Sequence, residues 1–259
     1  MPDVIDNVKT AVSDRAELPG MSLMEHLAEL RSRLIHSAVA LVIGFAIAYY
    51  FHEQLFAIVQ RPMNELHLEL NFTHPTDGLN LYLKTSLYGG AILAAPYILY
   101  QVWLFISPGL YENEKKYVWP FMFTTVGLFL AGAWFGYRYV LKSALKVLIG
   151  EFGKHFHPII TIDDYTGFFS AIIFGLGISF ELPIVVFFLA LFGITDAKFL
   201  VKNARYAILI IFIIAAIICP LPDPLSMILF AMPMLALYAV SIGVAYMVHP
   251  ARKKKLASA

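Results

Sequence analysis

Three groups of carboxylates stand in this chain where an acid needs a reason to be. Glu25 and Glu29 lie just before the first long uncharged run, Glu112 and Glu114 lie between the second and third runs, and Glu181 interrupts a run that is otherwise free of acids and bases. A carboxylate can hold a guanidinium in planar, bidentate fashion. Inside a membrane it can instead carry a proton or meet a polar partner. Glu29 has Arg33 four residues on, a helical pair worth about 0.2–0.5 kcal/mol on a solvated face, so a plain surface helix accounts for it. Glu25 and Glu29 share the same spacing with like charge, which a cationic partner would relieve. Both readings stand on these residues alone. Lys115 and Lys116 serve as orientation markers, but a short loop needs no acids for topology, so Glu112 and Glu114 ask for another role. If Glu114 lies near Glu29, two carboxylates suited to guanidinium groups share one surface. Glu181 would cost about 2.5–3.5 kcal/mol at a helix centre on insertion scales. It is tolerated where it faces a cavity or a partner, or stays protonated. A hydrogen bond to a neighbouring helix is the structural alternative to function there.

Other reactive residue types give less. His155 and His157 sit two apart with no cysteine nearby, and His36 stands at the mouth of the first run. The lone Cys219 excludes an internal disulfide and a cysteine-based metal cluster. There is no Gly-x-Ser-x-Gly, no His-Glu-x-x-His and no phosphate-binding glycine loop, so an enzyme is disfavoured and no cofactor is expected.

The elements that must position these residues are apolar. Acids and bases are absent from 34–52, 85–111, 117–137, 165–180, 182–195, 206–222 and 224–251. About 20 helical residues cross a 30 Å hydrocarbon core. The two stretches flanking Glu181 join into one span, which predicts six helices at 34–51, 82–106, 118–140, 165–190, 204–220 and 227–248. The chain is 59% hydrophobic and 14% charged with a mean hydropathy of +0.72, far from the charged quarter of a soluble domain. The expectation is an all-α, polytopic membrane protein of 259 residues forming one membrane domain. Residues 1–20 are an N-terminal extension, 21–248 the six-helix core and 249–259 a basic tail. Although Ala46-Ile47-Ala48 has the look of a cleavage site, the first span is read as uncleaved. Thirteen of the Lys and Arg residues fall on the side of the two termini and six opposite (Arg61, Lys84, Arg138, Lys142, Lys146, Lys154). The positive-inside rule therefore puts both termini in the cytoplasm.

Ser22-Leu23-Met24-Glu25 is a capping box and starts a helix near Leu23. Leu23, Leu27, Leu30 and Leu34 form its apolar stripe, with Glu25, Glu29 and Arg33 on the other face. Pro96, Pro183 and Pro233 fall inside spans and are expected to bend them. Pro183 should open the backbone bonding beside Glu181. The expected shape is a concave wall of kinked helices. The longer loops, 52–81 and 141–164, are expected to carry short helices capping it. No internal repeat of the inverted type is visible.

Together these segments resemble the TatC family, the multispanning core subunits of the twin-arginine protein translocase. The resemblance runs from about Met21 to Val248. It is carried by His26-Leu27-x-Glu29-Leu30-Arg31-x-Arg33-Leu34, Ala95-Pro96-x-Ile98-Leu99-Tyr100-Gln101-Val102-Trp103-x-Phe105-Ile106, Pro108-x-Leu110-Tyr111-x-x-Glu114 and Ser179-Phe180-Glu181-x-Pro183, with Pro62 and Gly193-Ile194-Thr195. It implies a receptor for signal peptides bearing paired arginines, on proteins exported already folded across the bacterial cytoplasmic membrane. Glu29 and Glu114 would contact the arginines, with Arg31, Phe105 and Tyr111 shaping the pocket. TatA-type and usually TatB-type single-span proteins would be partners, self-association would build a larger complex, and the proton-motive force would supply energy. Pro62, Pro96, Pro183 and Asp223 are structural positions in this reading.

Two positions depart from the family pattern. The turn after the fifth span usually reads Thr-Pro-Pro-Asp followed by Ser-Gln; here it reads Cys219-Pro220-Leu221-Pro222-Asp223, then Ser226-Met227. Cys219 and Met227 thus occupy the apparent partner-helix docking positions, where packing would replace hydrogen bonding. A proton-coupled small-solute transporter using Glu181 is the alternative function.

Overall fold

The computed structural model describes residues 23–106, 118–152, 159–191, 195–218 and 224–257. It is helical almost throughout. Helix α1 spans Leu23–Tyr50, so the polar N-terminal turns and the first apolar run form a single helix; Ser22 of the capping box lies outside the described residues. Then come α2 (His52–Glu65), α3 (Asp77–Ile106) and α4 (Val118–Phe135). Two π-helical stretches, Gly136–Val140 and Lys146–Phe152, flank α5 (Leu141–Leu145). The rest is α6 (Ile162–Ser179), α7 (Leu182–Leu191), α8 (Ala197–Lys202), α9 (Ala204–Ile218) and α10 (Pro224–Ala257). Where the predicted spans are described they fall on helical structure, the fourth of them on two helices, α6 and α7. Among the described residues four helical stretches are long and apolar enough to cross a membrane: Met24–Tyr50, Asp77–Phe105, Ile162–Ala190 and Phe230–Met247. Ala204–Ile217 is a shorter apolar helix, and α4 carries no charged residue.

Small residues set the helix spacing. α1 packs along α3, and a Cβ on Gly90 would lie 2.5 Å from the Phe45 backbone nitrogen, so the two backbones touch at Gly44 and Gly90. α4 meets α6 in the same manner: a Cβ on Gly132 would come within 2.7 Å of the Leu176 carbonyl oxygen. In a bilayer, close packing of this kind replaces the hydrophobic drive that lipid does not provide. The opposite surface of α1 is apolar and exposed, including Leu27, Leu30, Leu34, Val42 and Ile47, as a lipid-facing surface must be.

The predicted loop helices exist, and the two loops are joined. β1 (Leu70–Asn71) pairs in parallel with β2 (Ile160–Thr161), Leu70 opposite Ile160. Pro62 is buried inside α2. Lacking an N–H, it gives no helical bond to the Ile58 carbonyl four residues back. The Tyr137 hydroxyl donates to that carbonyl at 2.9 Å, and the Tyr165 hydroxyl donates to the next one, Val59, at 2.6 Å. The proline thus opens the Ile58 carbonyl, and through that carbonyl and its neighbour at Val59, α2 is fastened to Tyr137 and to α6. Glu65, at the end of α2, bridges Lys142 and Arg61, the latter at 3.2 Å.

The three span prolines behave differently. α3 runs through Pro96 and α10 through Pro233 without a break in helical structure. At Pro183 the helix is interrupted: α6 ends at Ser179, Phe180 and Glu181 form a turn, and α7 starts at Leu182. Pro183 stands in the first turn of α7, where a missing N–H and a fixed φ do no harm.

Candidate functional site

At the start of α1, His26, Glu29 and Arg33 recur at spacings of three and four and share one face. That face meets the end of α3, where Gln101 and Phe105 are likewise four apart. The His26 and Phe105 rings stack at 4.4 Å with 22° between their planes. Arg33 Nη2 donates to Glu29 Oε1 at 3.1 Å and Arg33 Nη1 donates to Gln101 Oε1 at 3.3 Å. The Glu29 side chain is 13% exposed and Arg33 30%, while Gln101 is 3% exposed. The solvated-face reading of Glu29 is therefore incomplete: the predicted pair forms, but it lies half-sheltered against α3 rather than open to water.

The remaining valences are informative. Glu29 Oε2 and Arg33 Nε are buried with no hydrogen-bond partner among the described residues. A buried carboxylate oxygen left unpaired costs at least the 1–3 kcal/mol typical of a buried polar group, more when ionised. The arrangement therefore presents one unmet acceptor beside an aromatic stack, which suits a cationic, hydrogen-bond-donating ligand.

Arg31 is exposed. Two residues from both Glu29 and Arg33, it lies on the opposite side of the helix and does not join the cluster. Glu114 and Tyr111, expected to complete this site, fall outside the described residues, as do Cys219 and Asp223. Met227 lies in the first turns of α10, half-buried. Gln101, Arg33 and His26 are site members that the sequence reading did not assign. The signal for Gln101 was available: it is the one amide in an uncharged run, one turn before Phe105.

Glu181 occupies the break between α6 and α7. Its backbone N–H donates to Ile178 O at 3.0 Å, and its own carbonyl accepts from Ile184 and Val185 N–H at 3.0 Å each. Pro183 supplies no N–H to the Ser179 carbonyl, so helical bonding is open beside the carboxyl group, as its sequence position predicts. Glu181 Oε1 is buried without a partner among the described residues. Gly132 of α4 passes against Phe180 and Leu176 next to it. On the cluster side of this break, Trp103 Nε1 donates to Thr125 Oγ1 at 3.1 Å, and its ring packs on Phe188 at 4.4 Å, joining α3, α4 and α7.

The chain matches a family described as "Sec-independent protein translocase protein (TatC)" over residues 25–233. The Sec-independent protein translocase protein TatC of Koribacter versatilis is 49% identical over 260 residues, covering 98% of this chain and 95% of that protein. The protein of the same name from Aquifex aeolicus is 40% identical and covers 91% of this chain and 98% of its own. A crystal structure of the twin-arginine translocase receptor TatC superposes with a TM-score of 0.79 at 39% identity, over 86% of this chain and 99% of that one. None of these matches supports the small-solute transporter.

Proposed function

The chain belongs to the TatC family of Sec-independent protein translocase proteins, and from that premise we propose that its Glu29 cluster receives the arginine pair of a signal peptide. The observation that carries this reading is the buried Glu29 Oε2, without a partner among the described residues, beside the His26–Phe105 stack. A ligand guanidinium would fill that acceptor with a charge-assisted bond, and the aromatic pair would cover its flat face. Glu114, in the segment that follows α3, would accept the second arginine, with Tyr111 contributing to the same pocket. The protein is a polytopic membrane protein of a translocase that works without Sec. Its cargo would be folded precursors, crossing the bacterial cytoplasmic membrane at the expense of the proton-motive force.

In this reading α4 and α9 also cross the bilayer, giving six spans with both termini in the cytoplasm. The distribution of Lys and Arg supports that orientation. TatA- and TatB-type single-span proteins would dock through the turn bearing Cys219 and the start of α10 at Met227. Glu181, in its helix break, would meet a partner's transmembrane helix or the passing signal peptide. The deciding experiment is co-purification with a precursor bearing paired arginines, beside the same precursor with paired lysines. Retention of the arginine form alone is the expected result. Equal retention of both would remove the receptor assignment.

A further inference from the structure

The Glu29 carboxylate is not free to turn. Oε1 is held by Arg33 Nη2 at 3.1 Å, and the same guanidinium is held through Nη1 by Gln101 of α3 at 3.3 Å. The chain of contacts Gln101–Arg33–Glu29 therefore runs from one helix to the other and ends on a buried oxygen with no hydrogen-bond partner among the described residues. Gln101 itself is almost wholly buried, which fixes the far end of the chain.

We infer that Arg33 and Gln101 are positioning residues for signal-peptide recognition: they occupy one Glu29 oxygen and aim the other at the incoming guanidinium. This rests on the receptor reading above. The geometry decides between two roles for Arg33. An arginine that competed with the ligand would take both carboxylate oxygens in a fork, the strong mode for such a pair. Arg33 takes only one, gives its second terminal nitrogen to Gln101, and has no partner for Nε among the described residues. It therefore makes no hydrogen bond to Oε2. Pre-orientation of this kind removes an ordering cost that the ligand would otherwise meet on binding. It also limits Glu29 to a single-oxygen contact, so a ligand arginine would find its other acceptors elsewhere.

The test is a double-mutant cycle on the full chain in lipid nanodiscs, titrated with a fluorescent synthetic signal peptide carrying paired arginines. Arg33→Gln should weaken binding about tenfold, the loss of one charge-assisted bond's worth of orientation. In a Glu29→Gln background the same change should do almost nothing, because Arg33 acts only through Glu29. Gln101→Leu should reproduce the Arg33→Gln loss and add little to it. Arg33→Lys, which keeps the charge but cannot span both partners, should recover only part of the affinity. Additive losses for Arg33→Gln and Glu29→Gln would overturn the inference, as would unchanged or tighter binding in Arg33→Gln. Should Arg33→Gln fail to fold, Gln101→Leu alone against Glu29→Gln completes the cycle with the same criterion. If Glu29→Gln itself leaves affinity unchanged, the receptor reading fails first, and the two failures are told apart by that single variant.

Discussion

At the scale of single residues, the acids in this chain are of two kinds. Both Glu29 and Glu181 have a buried oxygen without a partner among the described residues, but Glu29 is paired through its other oxygen, whereas Glu181 lies in a helix break. They call for different substitutions. If Glu114 accepts an arginine, Glu114→Ala strands a guanidinium and removes about 1.5–3 kcal/mol of charge-assisted bonding. Export of a twin-arginine precursor should then fall at least tenfold while the amount of inserted protein stays constant; quantifying both in the same membranes checks it. Glu181→Gln keeps the hydrogen-bonding shape and should retain most transport. Glu181→Ala leaves facing polar groups unsatisfied and should reduce transport by roughly tenfold, more than it reduces accumulation of the protein. Export assays on the two variants decide the matter: equal damage would mean that ionisation itself is required, and two silent variants would make Glu181 a tolerated structural acid.

At the scale of elements, helix contacts depend on particular small and polar residues. Gly90→Ala would put a methyl group 2.5 Å from the Phe45 nitrogen, and backbone cannot yield as a side chain does. The helices α1 and α3 must part, costing about 1–3 kcal/mol as overpacking does and loosening the Arg33–Gln101 contact between them. Gly127→Ala meets nothing within 4 Å and should be neutral or stabilising by up to about 1 kcal/mol. Thermal unfolding of both variants in detergent tests the contrast. The cap has its own pH dependence. Hydrogen bonding from Lys142, then its charge, with Arg61 adding to both, holds the Glu65 carboxyl below the usual range against a smaller opposing push from burial. A depressed carboxylate contributes stability that is full above its unfolded value and disappears as pH falls through its folded one. Glu65→Gln should therefore lower the unfolding temperature at neutral pH. The difference from the parent should shrink as pH falls through the lowered range of this carboxyl group, and a difference unchanged by acidification would contradict the ion-pair account.

At the scale of the whole molecule, orientation and function are one question, because the Glu29 cluster would serve a signal peptide only from the side where precursors are made. The lone Cys219 makes the test direct. In a Cys219→Ser background, a cysteine replacing Glu69 should react with a membrane-impermeant maleimide added outside cells. A cysteine replacing Lys253 should react only in inverted vesicles. Labelling of both from one side would break the six-span reading.

The sequence by itself determined the class of protein, the helices and the family. Long uncharged runs admit one solution in lipid, since every backbone polar group must be satisfied within the segment. Pro183 gave notice that backbone bonding opens beside Glu181, because a missing N–H is local in the chain. Tertiary structure decided what depends on distant residues meeting. Nothing local ties Arg33 to Gln101, 68 positions apart, or the Ile58 carbonyl freed by Pro62 to the Tyr137 hydroxyl, 79 positions away. Arg31 and Arg33 look equivalent in the sequence, yet 200° of helical rotation, at about 100° per residue, sends one outward and turns the other onto Gln101. Nor could the prolines be sorted from the chain alone: Pro96 and Pro233 sit within continuous helices and Pro183 at a break. Hydropathy reports how much of a helix is apolar; only packing reveals which face is turned inward and what it meets there.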